Sequence, residues 1–309
     1  MEIKLHISSS PHIHTQKTTK QIMLDVIIGL LPATIAGVVI FGSRALEVIA
    51  VCVGTCVLGE YLFNRIVKKD QTIEDFSAAL TGLILALNLP VNIPLWQCVV
   101  GALFAIIIVK CLFGGLGRNL VNPAIAGRVF MLVAFGSMAK AAFPVDVDAT
   151  AGATPLVELA AGKTPDLMAL FLGTTGGAIG ETCALALLLG GIYLIARRVI
   201  TFHIPLGFIG TVFVCGLLLN GFDFVGALAY ILSGGLFIGA FFMATDYVTS
   251  PATPKGKLIF GLGAGLITVL IREFGQYPEG VSFAILLMNI LDPYIDRLTA
   301  YKVFGGKKA

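Results

Sequence analysis

The sequence predicts an all-α integral membrane protein of about ten transmembrane helices, arranged as two inverted five-helix repeats. Three observations carry this prediction. First, 57% of the 309 residues are hydrophobic and only 13% are charged, where a soluble domain carries about 25% charge. The mean hydropathy is +0.94, and a single soluble core of this length could not enclose so much apolar surface. Second, apolar runs long enough to approach the thickness of a bilayer recur along the chain. Third, Asn119-Leu-Val-Asn122-Pro123-Ala-Ile125 in the first half resembles Asn289-Ile-Leu-Asp292-Pro293-Tyr-Ile295 in the second.

The elements follow in order. Residues 1–21 are polar and lack the short apolar region and small-residue cleavage site of a leader, so the first helix is expected to stay and this segment to be cytoplasmic. Five spans near 22–40, 45–63, 76–89, 95–113 and 122–139 form the first repeat, within 22–139. Gly114, Gly115 and Gly117 interrupt the apolar stretch between the fourth and fifth. A long loop, 140–180, separates the halves. Five more spans near 181–196, 204–220, 224–244, 258–271 and 281–294 form the second repeat, within 181–298, and 299–309 is a cytoplasmic tail. Cys52, Cys56, Cys98, Cys111, Cys183 and Cys215 fall mostly inside these spans and read as small membrane-buried residues.

Charge orients the chain. With both termini in the cytoplasm, the inner side carries most of the cations, including Lys17, Lys20, Arg65, Lys68, Lys69, Lys110, Arg197 and Lys255. The outer side carries Arg44, Lys140, Lys163 and Arg272, so the positive-inside rule favours this topology. The 140–180 loop then lies outside, and its charge is mainly acidic: Asp146, Asp148, Glu158 and Asp166.

The repeat gains a fainter echo, Phe76…Ala79…Pro90 against Phe237…Ala240…Pro251. An odd number of spans per copy inverts the second copy, and such repeats bind ligands at their interface near the midplane. Pro123 and Pro293 are expected to free backbone carbonyls inside helices. Each site then either lines a ligand or ion or is a kink satisfied by Asn119, Asn122 and Asn289. Charges inside spans are costly and mark function by default. Asp25, Glu60 and Asp246 sit near inner ends, where reaching the headgroups is the alternative. Arg128 requires an anion, either a carboxylate such as Asp292 or a cofactor phosphate.

In the outer loop, Thr154-Pro155 reads as a helix N-cap with proline at the first helical position, and Thr164-Pro165-Asp166 repeats the pattern. The segment Asp148-Ala-Thr150-Ala151-Gly152-Ala153-Thr154 resembles the flavinylation motif Asp-x-x-Ser/Thr-Gly-Ala-Thr of the paired membrane subunits RnfD and NqrB. It departs from that motif at Ala151. Ser10-Pro11-His12, Gly117-Arg118-Asn119-x-x-Asn122-Pro123-Ala124, Gly177-Ala-Ile-Gly180-Glu181-Thr182 and Asp246-Tyr-Val-Thr-Ser250-Pro251 are similar to further segments of that family. The short polar start resembles the RnfD branch rather than the longer NqrB-type chains.

The resemblance implies a bacterial inner-membrane component of the ion-translocating ferredoxin:NAD⁺ oxidoreductase complex, an electron carrier without a complete active site of its own and with no catalytic side chain. It implies FMN bound to Thr154 through a phosphoester, attached by an extracytoplasmic flavin transferase, with Asp148, Gly152 and Ala153 in register. The other Rnf subunits and membrane lipid are the implied partners. Arg128 is a candidate for the same phosphate, and a helix N-terminus at Thr154 would favour the anion. The implied ion, Na⁺ or H⁺, or a second, noncovalent flavin (riboflavin), has Asn119, Asn122, Asn289 and Asp292 as candidate ligands, with Glu60 and Asp246 further along an ion path. The alternative is a channel or transporter without redox function, since the repeat also resembles urea-channel architecture. A third reading is a scaffold for redox partners. His12 and His14 alternate but have no further ligand nearby, so no metal site is expected. No phosphate-binding loop or dinucleotide fingerprint is present, and the basic inner loops reflect topology rather than nucleic acid.

Overall fold

The computed structural model describes residues 17–139, 143–144, 154–163, 165–275 and 280–301. Ser10-Pro11-His12, His14, Asp148, Gly152 and Ala153 lie outside the described residues. Among the described residues every regular element is helical: α1 (Thr19–Phe41), α2 (Ser43–Val67), α3 (Ser77–Leu87), α4 (Leu95–Leu103) continuing as a π-helix (Phe104–Cys111), α5 (Pro123–Ala134), α6 (Pro155–Ala160), α7 (Leu167–Leu172), α8 (Ala184–Ala196), α9 (His203–Leu219), α10 (Phe224–Leu232), α11 (Leu236–Ile238) continuing as a π-helix (Gly239–Met243), α12 (Pro254–Phe274) and α13 (Val281–Thr299). Each expected span contains a helix. Among the described residues two of them, α1 and α2, are singly long and apolar enough to cross a bilayer. The α10–α11 pair passes the same test only together, bent by 65°, so the expected eighth span is a broken helix.

Local sequence explains the boundaries. Thr18 and Gln21 form a reciprocal capping box at the start of α1. Gly42, at φ 74°, ends α1 and turns the chain directly into α2. Asp223 caps α10 by accepting from the amides of Val225 and Gly226, and Thr253 caps α12, with Pro254 at its first turn. Asn122 caps α5 in the same way, accepting from Ala124 and Ile125. The expectation for Pro123 is therefore corrected. It occupies the first position of α5, where the missing N–H would have no helical partner anyway, so it frees no carbonyl. Pro293 does lie inside α13. The second loop helix is capped by Asp166, one residue beyond Thr164-Pro165.

Packing ties the two halves together. In the first half α2 packs on α3 and α4, and in the second α9 packs on α10 and α12. Between them, α1 packs on α8 and α5 on α13. The α1/α8 pair is antiparallel, since Asp25 near the start of α1 accepts from Tyr193 and Arg197 at the end of α8. Asp25 is thus buried and paired, not directed at headgroups. Small residues set the closest approach in this pair. A Cβ on Gly190 would stand 2.0 Å from the Gly29 carbonyl oxygen and 2.9 Å from the Phe242 ring. Gly190→Ala is expected to separate α1 from α8 and cost about 1–3 kcal/mol. A thermal unfolding midpoint in detergent equal to that of the parent would refute this. Elsewhere large apolar side chains such as Val39, Ile66 and Val133 face outward, as expected of a surface solvated by lipid.

Candidate functional site around Thr154 and the central cavity

Two regions gather the expected residues. The first lies at the break between α10 and α11. Gly234, at φ 70°, makes the turn. The α10 carbonyls freed by the break are taken by Arg272 of α12: Nη1 donates to Tyr230 O at 2.7 Å and Nη2 to Ser233 O at 2.9 Å. The guanidinium also stacks over the Tyr230 ring, 4.9 Å from its centroid.

Thr154 reaches this break through α6, which packs on α10. It caps α6 with Pro155 following, as the sequence predicts, but its side chain makes no capping hydrogen bond. Thr154 Oγ1 is buried and unpartnered among the described residues. Leu156, two residues on, fills the notch at Gly234. A Cβ there would meet Leu156 Cδ1 at 2.8 Å and Arg272 Nη2 at 3.2 Å. At the next residue, a Cβ on Gly235 would meet Glu181 Oε2 at 3.3 Å and Arg128 Nη1 at 3.5 Å.

Arg128 is buried on α5. Its Nη1 donates to Asn88 Oδ1 at 2.6 Å, and its Nη2 lies 3.9 Å from Glu181 Oε2. Among the described residues its carboxylate is therefore Glu181 rather than Asp292. Glu181 reaches it because the segment before α8 folds back on the end of α3, where Ile179 and Gly180 donate to the carbonyls of Leu89 and Leu87. Sequence reading missed Arg272 and Asn88. Arg272 looked like an outer-side cation in a positive-inside count, which is blind to a helix break elsewhere in the chain.

The second region is a cavity of about 80 Å³ between the halves, whose lining includes Ser77, Lys110, Asn119, Asn122, Phe241 and Asp246. Asn289 stands behind Asn122. Its Oδ1 accepts from Asn122 N at 3.2 Å, and its Nδ2 donates to Thr249 O at 2.8 Å. Asn122 Nδ2 donates to Met243 O at 3.3 Å, and Asn119 Nδ2 to Val121 O at 3.0 Å. These amides satisfy the chain ends around the cavity, which the sequence foresaw as one of two readings. Asp292, three residues beyond Asn289, is half-buried with Oδ1 unpartnered among the described residues, and it is not among the cavity-lining residues. Asp246 is half-buried and accepts from Thr249 Oγ1 at 3.1 Å.

Glu60 is not at a headgroup. It is 2% exposed and accepts from Lys110 Nζ at 2.7 Å and from Thr72 Oγ1 at 2.5 Å. Lys110 Nζ also donates to Ser77 Oγ at 2.6 Å. Lys110 is thus no inner-loop cation. The π-helix turns it inward, and it is 1% exposed.

Comparison with known proteins decides what kind of molecule holds these two regions. The model of the NQR2, RnfD, RnfE family matches residues 6–305. The chain belongs to this family. Similar relatives include the D subunit of the Na⁺-translocating ferredoxin:NAD⁺ oxidoreductase complex of Acetobacterium woodii, 47% identical over 99% of this chain and 97% of that protein. The D subunit of the proton-translocating ferredoxin:NAD⁺ oxidoreductase complex of Clostridium ljungdahlii is 43% identical over 98% of this chain and 96% of its own length. The D subunit of the ion-translocating oxidoreductase complex of Actinobacillus succinogenes is 36% identical over 97% of each chain. For a member of this family, Thr154 at the helix break and the asparagine-lined cavity are the two regions where sequence motif and geometry coincide.

Proposed function

We propose that this chain is the membrane-embedded D subunit of an ion-translocating ferredoxin:NAD⁺ oxidoreductase complex in the bacterial inner membrane, with both termini cytoplasmic, and that it carries FMN esterified to Thr154. The observation that carries the reading is the state of Thr154. Its hydroxyl is buried, has no hydrogen-bond partner among the described residues, and belongs to a loop helix packed on the break where α12 contributes a guanidinium. A buried hydroxyl without a partner is costly, so a covalent fate for that oxygen accounts for a group that is otherwise destabilising. The residues present fit a phosphoester. Arginine is the side chain best suited to phosphate oxygens, and Arg128 and Arg272 both lie at the bend. α6 has only six residues and is too short to serve as an anion site by itself. The flavin ring supplies the redox chemistry when bound, and the chain's role is to hold and orient it.

The same reading takes the ten helical segments as ten spans in two inverted, urea-channel-like repeats. The packing supports it. Contacts of α2 with α4 parallel those of α9 with α12, and α1/α8 and α5/α13 pair equivalent segments across the halves. The polar cavity bounded by Asn119 and Asn122 is then the place for the translocated ion or for part of a second, noncovalent flavin such as riboflavin. Asp246 at the cavity, Glu60 behind Lys110, and Asp292 on α13 are the acidic groups available to a Na⁺ or H⁺ path. The other members of the complex, the flavin transferase and surrounding lipid are the partners.

The test is the mass of the denatured chain after coproduction with an active flavin transferase. An increase of one esterified FMN is expected, lost in Thr154→Ala. An unmodified wild-type chain would overturn the reading.

A further inference from the structure

We infer that Arg272, rather than Arg128, holds the phosphate of the group on Thr154, an inference that rests on the proposed esterification of that residue. The two guanidiniums at the bend are not equivalent. Arg128 is engaged by Asn88 Oδ1 at 2.6 Å and by the Glu181 carboxylate at 3.9 Å, so its charge already has a buried counter-charge. Arg272 uses Nη1 and Nη2 on two neutral carbonyls, and its Nε is buried with no partner among the described residues. Its own neighbour Glu273 is exposed and accepts from the Tyr230 hydroxyl at 3.1 Å.

The placement of the carboxylates points the same way. Among the described residues buried Glu181 lies against Arg128, whereas Glu273, the acidic neighbour of Arg272, is exposed and held by the Tyr230 hydroxyl. A phosphate esterified on both sides, to threonine and to the flavin ribityl chain, carries one negative charge. A guanidinium pairs with such phosphate oxygens through two N–H groups at once.

Position completes the argument. Leu156 Cδ1 and Arg272 Nη2 approach the same point above Gly234, at 2.8 and 3.2 Å, which sets the start of α6 beside the guanidinium. Leu156 is 7% exposed, so the contact is sheltered from water, where such an ion pair is worth most. Arg272 thereby links three parts of the chain: the outer loop, the end of α10 and the end of α12. A purely structural role, closing the α10 carbonyls, would leave Nε buried without a partner among the described residues.

The experiment uses the intact complex produced with the flavin transferase, comparing wild type, Arg272→Gln and Arg272→Lys. Denatured mass establishes whether FMN is present on the chain. The native complex is then read by flavin fluorescence anisotropy and by the ³¹P shift of the phosphodiester. In Arg272→Gln, FMN is expected to remain attached, with the ³¹P resonance displaced toward that of a solvated phosphodiester and the anisotropy lowered about twofold as the flavin gains nanosecond motion. Arg272→Lys, which keeps the charge but loses the two-pronged geometry, is expected to fall between. If Arg272→Gln does not assemble, Arg272→Lys carries the test by itself. A loaded variant whose ³¹P shift and anisotropy match wild type overturns the role of Arg272. A wild-type chain without FMN overturns the reading of Thr154 instead, so the two failures are distinct.

Discussion

Lys110→Met is expected to destabilise the fold by about 3–5 kcal/mol, because it leaves the Glu60 carboxylate buried without its counter-charge. The pair is enclosed on both sides, with each side chain 2% exposed and the two 2.7 Å apart. Ser77 and Thr72 complete the cluster. Neither the solvent nor the headgroups can take over from the lost ammonium. Combining Glu60→Gln with Lys110→Met removes both charges and is expected to recover most of the loss, since replacing a whole buried pair is often close to neutral. Thermal unfolding of the four proteins in detergent closes the cycle. A coupling of about 2 kcal/mol or more is expected for side chains in direct contact. Additive losses would mean that the pair does not act as a unit.

The second large effect concerns function. In membrane vesicles containing the assembled complex, Thr154→Ala is expected to bring ferredoxin-dependent NAD⁺ reduction down to the level of vesicles lacking this chain. On the proposed reading the redox chemistry resides in the flavin on Thr154, so removing its attachment point removes the carrier. Folding should be nearly unaffected, because the Thr154 hydroxyl makes no hydrogen bond among the described residues and its removal relieves a buried polar atom. Thr154→Ser keeps the acceptor oxygen next to Pro155 and is expected to retain measurable reduction. Full electron flow in an assembled Thr154→Ala complex would remove Thr154 from the route.

These two sites differ in how far the sequence discloses them. Thr154 stands in a motif with a proline behind it, so both its family resemblance and its place at a helix start are local signals, and the start is where α6 begins. Asn122-Pro123 carries an equally local signal, an N-cap residue followed by a helix-starting proline, but the sequence reading placed Pro123 inside a helix and passed it over. The ten apolar segments were legible for the same reason, as hydropathy is read along the chain. Lys110 and Arg272 were not. Lys110 sits at the end of an apolar run, and only the wider turn of a π-helix and the opposing face of α2 make it an interior charge. Arg272 answers carbonyls exposed some forty positions earlier by a 65° break, and that break was hidden inside what reads as one long apolar span. Polar groups in a membrane protein are satisfied by partners far away in sequence, so their roles emerge only from tertiary placement.

The contacts between the halves also bear on how the molecule is made. A ribosome releases residues 17–139 before any of the second half exists. At that stage the Gly29 face of α1 lacks Gly190, the Asn122 amide lacks Asn289, and Arg128 lacks Glu181. The buried Glu60–Lys110 pair, by contrast, lies wholly within the first half and can close at once. Synthesis therefore passes through a half-molecule that is internally neutralised on one side and open along a polar seam on the other. That seam stays unmatched until the second half is in place.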